Sequence, residues 1–242
     1  MSGHQGGVPT CLFFHAHPDD ESLLTAGTMA RLAAEGHRVV LVVATAGEAG
    51  LAADRVSLGT VRAGELHESA RILGCARVVL LGYRDSGLDG TVPGGFASAP
   101  LREAAQRLAE ILNEEQADVL TVYDPSGGYG HPDHVQVYLA GIEAARIAGT
   151  PSVLEATVDR DRLRPLRWFL PFDLDHAYLP GSEITHRVRI GRHARAKRAS
   201  MAAHATQASG GSSVRTLAAF LRLPYPLFRL VFGTEYYRQR RS

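Results

Sequence analysis

Cysteine is nearly absent: Cys11 and Cys75 are the only two in 242 residues. They are too few and too far apart for a disulfide framework or a zinc ribbon, and both read as small buried hydrophobes. No run approaches the roughly 20 apolar residues of a membrane span, and Met1 to Thr10 has neither the basic nor the apolar region of a secretion signal, so a soluble cytoplasmic protein is expected. The formal net charge is only +1, which leaves no electrostatic case for nucleic acid; the locally basic Arg238-Gln239-Arg240-Arg241 reads as a solvated tail. There is no internal repeat and no low-complexity segment. A GxGxxG fingerprint is also missing after the first strand, which excludes a dinucleotide-binding Rossmann site.

What is present is an alternation of strand and helix patterns. At 45% hydrophobic content the chain can bury the core of one α/β domain. The run Thr10 to Phe14 predicts a strand and Glu21 to Glu35 a helix. A strand over Val39 to Thr45, a helix near Val61 to Leu73 and a strand over Val78 to Leu81 follow. After a long loop come a helix over Leu101 to Glu115, a strand over Val119 to Tyr123, a helix over Val135 to Ile147 and a strand around Ser152 to Val158. This order predicts a Rossmann-like, mostly parallel sheet of five or more strands with helices on both faces. Residues 159–242 are expected to form an edge or cap of the same domain, with a strand over Ile184 to Ile190 and a helix over Arg192 to Ala208. Leu217 to Phe232 is apolar but broken by Pro224 and Pro226, and so packs on the body.

Two short motifs stand at strand exits. His17-Pro18-Asp19-Asp20-Glu21 follows the first strand, and His131-Pro132-Asp133-His134 follows Val119 to Tyr123 and the loop Pro125 to Gly130. In an open parallel sheet both lie beyond the carboxyl ends of the strands, where such folds bind ligands. Either motif alone would pass for a turn with a helix cap; two of them at matching places point to one metal site.

His17 and Asp20, three residues apart at a turn entering a helix, supply an imidazole and a carboxylate, and His134 a third ligand. Two His and one carboxylate with a position left open make a catalytic ligand set, suited to zinc and also to ferrous iron. Asp19 is then the general base that takes a proton from a water activated by the cation. His131 would stabilise the oxyanion formed at an amide carbonyl. Asp133 would orient His131 and favour its protonated form. Spacing leaves open the exchange of His131 and His134 between these roles.

These residues resemble the PIG-L or LmbE-like metal-dependent N-deacetylases, whose signatures are matched by Ala16 to Glu21 and His131 to His134. The likeness runs through Thr25 to Gly47 and Gly127-Gly128-Tyr129-Gly130. With Gly82 to Gly87 it is nearest to the actinobacterial branch that holds the N-acetylglucosaminyl-inositol deacetylases and mycothiol-conjugate amidases. The resemblance implies His17, Asp20 and His134 as zinc ligands, Asp19 as base and His131 as stabiliser, which settles the exchange. It further implies that Arg62 and Asp85 hold sugar hydroxyls and that Tyr129 lies near the reacting carbonyl. The expected activity is removal of an acetyl group from an N-acetylglucosamine-type sugar or glycoconjugate, without a nucleic-acid partner and with a homo-oligomer open. The alternatives are an amidase acting on mycothiol conjugates and a sugar-binding protein without turnover; pure binding has no use for Asp19. His204 reads as a packed or hydrogen-bonded histidine.

Overall fold

The structure is a computed structural model that describes residues 8–48, 55–170, 172–209 and 211–240. Seven strands form one sheet: β1 (Thr10–His15), β2 (Arg38–Thr45), β3 (Arg77–Tyr83), β4 (Val119–Tyr123), β5 (Ser152–Thr157), β6 (His186–Arg189) and β7 (Thr234–Gln239). The spatial order is β3-β2-β1-β4-β5-β7-β6. The first five strands are parallel, while β7 runs antiparallel to both β5 and β6.

Side-chain alternation along the central strands builds two cores. On one face Leu12, Phe14, Val40 and Val42 pack with Leu108 of helix α4 (Leu101–Glu114) and Val137 of α5 (Pro132–Ala148). On the other, Phe13, Leu41 and Val43 pack with Met29 of α2 (Ala26–Ala34) and Leu66 and Leu73 of α3 (Arg55–Leu73). Cys11 lies in this second core, and burial pushes its thiol up to about 11. Both cysteines are free.

Several elements depart from the sequence expectation, each for a local reason. The helix expected over Glu21 to Glu35 is two, α1 (Asp20–Leu24) and α2, separated at Thr25. The N–H groups of Gly27 and Thr28 are taken by the Glu235 carboxylate of β7 at 2.8 and 2.7 Å, so a distant side chain caps α2. The Thr25 hydroxyl meets His15 Nε2 at 2.9 Å. The second motif is itself the first turn of α5, with His131 as its N-cap and Pro132 in the first turn.

The strand expected beyond Ile184 is the short edge strand β6. Past it, α7 (Ala194–Ala203) and α8 (Ala205–Ser209) replace one expected helix, broken at His204. The short α6 (Arg160–Leu163), α9 (Gly211–Arg222) and α10 (Tyr225–Phe232) complete the chain. Arg238, read as tail, belongs to β7 and pairs with Glu155 and Glu183. Leu217 and Phe228 pack with Met201 against the body. No helix among the described residues is long and apolar enough to cross a membrane.

Lys197 and Glu235 form an ion pair at 2.6 Å with both side chains 2% exposed. The Lys197 ammonium also donates to the Leu23 carbonyl at 2.6 Å. Lys197→Met strands a buried carboxylate and should cost about 3–5 kcal/mol in urea unfolding.

His15 lies under the site, between Thr25 and Tyr123, and burial pushes its imidazole from the ordinary 6.5 to about 4. A lowered histidine value in the folded state means that the unfolded chain takes up the proton first. Stability is therefore lost as pH falls below 6.5 towards 4. Between pH 7 and 5 this group should remove about 2 kcal/mol. Urea unfolding at the two values, compared with His15→Gln, which cannot be protonated, should show a loss smaller by that amount in the variant.

Candidate active site

The two motif loops meet because β1 and β4 are neighbours at the centre of the sheet, at the point where the strand order reverses. Around the junction stand three imidazoles and four carboxylates: His17, His131 and His134 with Asp19, Asp20, Asp85 and Asp133. His17, Asp85, His131, Asp133 and His134 are all buried.

His134 is positioned by two contacts. Its ring stacks on Tyr123 at 4.2 Å with 1° between the planes. Its Nδ1 donates to the Gly127 carbonyl at 3.2 Å. That leaves Nε2 with a bare lone pair, and this atom is buried without a hydrogen-bond partner. His17 is arranged in the complementary way: Nε2 donates to Asp133 Oδ2 at 3.0 Å, which frees Nδ1.

Asp20 Oδ2 is 3.3 Å from His17 Nδ1 and 3.3 Å from His134 Nε2. These are the separations of neighbouring donors around a tetrahedral ion with bonds of about 2.0–2.1 Å. Histidines whose other nitrogen is tied to a carboxylate or a main-chain carbonyl are typical of metal sites. Two overlapping groups of donors, each within 4.8 Å, also occur here: His17, His131 and His134, and His17, Asp85 and Asp133. A divalent cation therefore fits the donor set. Burial alone would raise the Asp20 carboxyl, but the two imidazoles beside it, His134 and His17, hold it well below the usual range. Burial would likewise lower His17, but hydrogen bonds to Asp133, Asp20 and Asp85 raise it well above.

The Asp133 carboxylate takes partners other than the one expected from sequence: it serves His17 and the Ser86 N–H, at 3.0 and 3.1 Å, rather than His131. Asp133 holds His131 through the main chain, since its N–H donates to His131 Nδ1 at 3.1 Å. His131 is consequently a neutral ring with its proton on Nε2, and burial together with the charges of His17 and His134 pushes it down to about 4. The Asp133 charge does favour the protonated form, but burial and the two neighbouring rings outweigh it.

Asp19 has φ 109°, a backbone conformation that costs a non-glycine residue about 1–3 kcal/mol. Its N–H donates to Glu21 Oε2 at 3.0 Å. Its carboxyl is raised to about 6 by burial, against the charge of Arg62. Arg62 itself braces the loop, donating to the carbonyls of Gly47 at 2.6 Å and Pro18 at 2.8 Å, with Asp19 Oδ1 3.6 Å away. Both terminal nitrogens are thus engaged by the protein. Asp85 Oδ1 is 3.5 Å from His17 Nε2 and accepts the Gly87 N–H at 2.8 Å. Tyr129, 41% exposed, stands at the rim with its ring edge-on to His131 and His134. Sequence reasoning missed Tyr123 and Ser86 as parts of the site; an aromatic that ends a strand, or a serine in a turn, gives no sign of the histidine or carboxylate it will meet.

Gly127 has φ +66°, and a Cβ there would lie 2.7 Å from the Val135 nitrogen. Gly127→Ala should push the loop off α5 and displace the carbonyl that holds His134. Titration calorimetry with Zn²⁺ should show affinity at least about tenfold weaker.

With this geometry in place, comparison with known proteins is informative. Residues 12–145 match the PIG-L family, described as GlcNAc-PI de-N-acetylase. The 1D-myo-inositol 2-acetamido-2-deoxy-alpha-D-glucopyranoside deacetylase of Saccharomonospora viridis is 36% identical, over 89% of this chain and 91% of its own. The enzyme of the same name from Mycobacteroides abscessus is 37% identical, over 88% and 87%. In three dimensions the chain is similar to the N,N'-diacetylchitobiose deacetylase of Pyrococcus horikoshii, with TM-score 0.67 and 21% identity, covering 96% of this chain and 83% of the other. That likeness concerns the fold. The family match over more than half of the chain and the near full-length relatives agree with the motifs: this protein belongs to the PIG-L family of de-N-acetylases.

Proposed function

We propose that the chain is a metal-dependent deacetylase that hydrolyses the acetamide of an N-acetylglucosamine glycoconjugate, with a GlcNAc-inositol as the favoured substrate. The observation that carries this reading is Asp20 Oδ2 at 3.3 Å from both His17 Nδ1 and His134 Nε2, with Asp19 next in the chain. The names of the near full-length relatives support the inositol-linked sugar.

In this reading His17, Asp20 and His134 hold the cation, zinc or ferrous iron by donor type. When bound, the cation supplies Lewis acidity at the acetamide carbonyl and lowers the pKa of the attacking water. Asp19 takes the proton of that water as the C–O bond forms. Its carboxyl, raised by burial, is a strong enough base to do so and a strong enough acid to pass the proton on to the leaving nitrogen. His131, neutral, gives its Nε2–H to the oxygen that gains charge at the tetrahedral carbon. The C–N bond then breaks, and acetate and a free amine result. Asp133 keeps His17 in the tautomer that a ligand needs. Asp85 and Tyr129 line the approach to the site and are assigned to the sugar. Arg62 is assigned to it as well, but first holds Pro18 and Gly47 in place.

The test is metal content by mass spectrometry together with acetate release from GlcNAc-inositol. Asp19→Asn should keep near-stoichiometric metal and lose about 10²–10⁴-fold in kcat. Chelation should abolish activity, and returning Zn²⁺ or Fe²⁺ should restore it. Metal-loaded protein that releases no acetate from any N-acetylated amino sugar would refute the reading; acetate-free cleavage of a thiol conjugate would put an amidase in its place.

A further inference from the structure

The backbone of Asp19 is strained, and what holds it is not in its own loop. Its N–H is bound by Glu21 Oε2 at 3.0 Å, and its carbonyl accepts from the Ser22 N–H at 3.0 Å and the Ser22 hydroxyl at 2.7 Å. Ser22 follows directly in the chain and moves with it. Glu21 does not, because its other oxygen is fixed from outside: Oε1 accepts from the Ser69 hydroxyl of α3 at 2.6 Å and from His204 Nε2 at 2.6 Å. Ser69 is held in turn by the hydroxyl of Ser200 in α7 at 2.7 Å. Glu21, Ser69, Ser200 and His204 are each 0% exposed. No water competes for these bonds, and the carboxylate has one orientation available to it.

His204 is the residue at which α7 ends, with φ −82° and ψ 60°. A continuous helix through this position was the sequence expectation; the break seats the imidazole on Glu21. Beyond it, the Thr206 N–H and hydroxyl bind Glu65 of α3 at 2.8 and 2.6 Å, so the chain is anchored to α3 immediately after the turn. α3 and the end of α7 thus converge on a carboxylate whose other oxygen sets the peptide of Asp19.

We infer that His204, with Ser69, is a positioning residue for catalysis: acting through Glu21, it holds Asp19 in its left-handed backbone conformation and so aims the base. This rests on the reading of Asp19 as the base. A merely structural role would show as lost stability or lost metal; a positioning role lowers turnover while substrate and metal binding persist. Imidazole Nε2 is a donor that the amide nitrogen of glutamine can replace and leucine cannot.

The experiment compares His204→Leu with His204→Gln, measuring kcat and KM on GlcNAc-inositol, metal content, and the crystal structure of each variant. His204→Leu should lower kcat about 10- to 100-fold with KM and metal content unchanged, and Asp19 should leave positive φ. His204→Gln should stay within about threefold of the parent. Normal kcat in His204→Leu, a loss that merely tracks lost metal, or Asp19 unmoved on Glu21 would overturn the inference. Should leucine at 204 prevent folding, Ser69→Ala removes one donor at little cost in volume: a several-fold fall in kcat at constant KM supports the inference, and unchanged kcat refutes it. Asp19→Asn assayed alongside separates the two claims. If it stays active the base assignment is wrong, whereas the φ of Asp19 in the His204 variants tests the positioning whatever the assay shows.

Discussion

The pairing of β1 with β4 is the constraint on which the site depends. Cys11, Leu12 and Phe13 lie opposite Val119, Leu120 and Thr121, in parallel, in the middle of the sheet. Parallel pairing brings the carboxyl ends of the two strands to the same edge, and the reversal of strand order at this pair opens a crevice between the loops that follow them. His17 and His134, 117 positions apart in sequence, are thereby held within a few ångströms. Phe13 and Phe14 fill opposite cores, so a one-residue slip of β1 would put each into space packed for the other. The register of the core is also the register of the donor atoms.

Burial then decides the chemistry. In water, carboxylates and imidazoles titrate near their ordinary values; in this crevice His17, Asp19, Asp20 and His131 take their states from their surroundings. Asp20 is held ionised by two imidazoles, whereas Asp19, only one residue earlier, is raised to about 6. Two adjacent acids so separated can fill different roles, one as a permanent anion for a cation and one as a group that gains and loses a proton. His131 is kept neutral by burial, by the rings beside it and by the Asp133 N–H at its Nδ1. The N-cap of α5 and the proton inventory of the site are therefore the same hydrogen bond.

How much of this was legible in the sequence follows from the range of each interaction. The strand runs, the two histidine motifs and the parallel core could be read because hydrophobic period and turn chemistry are local. The break at Thr25 could not, because the group that caps α2 is Glu235, more than 200 residues away. For the same reason Arg238 was read as tail, although Glu155 and Glu183 hold it in the sheet. Asp133 was assigned to its neighbour His131 on proximity in sequence, but a residue in the first turn of a helix directs its carboxylate according to the fold, and here it reaches His17 and Ser86. Family resemblance alone points Arg62 at a sugar hydroxyl; in the fold two main-chain carbonyls claim its terminal nitrogens.

The family match ends at residue 145, and every residue assigned to the chemistry lies within it. The conformation of the first motif nevertheless depends on what comes later. Glu235 caps α2, Lys197 ties that carboxylate to the carbonyl of Leu23 at the end of α1, and His204 fixes Glu21. None of these three carries an assigned part in the chemistry, and all three are buried against the two short helices that follow Asp19. Without them α1 and α2 would keep their sequence but lose the groups that separate and orient them, and the strained peptide at Asp19 would relax towards the ordinary backbone regions. Residues 146–240 thus contribute geometry to a site whose reacting atoms they do not supply, which is why the catalytic motif cannot be treated as self-sufficient.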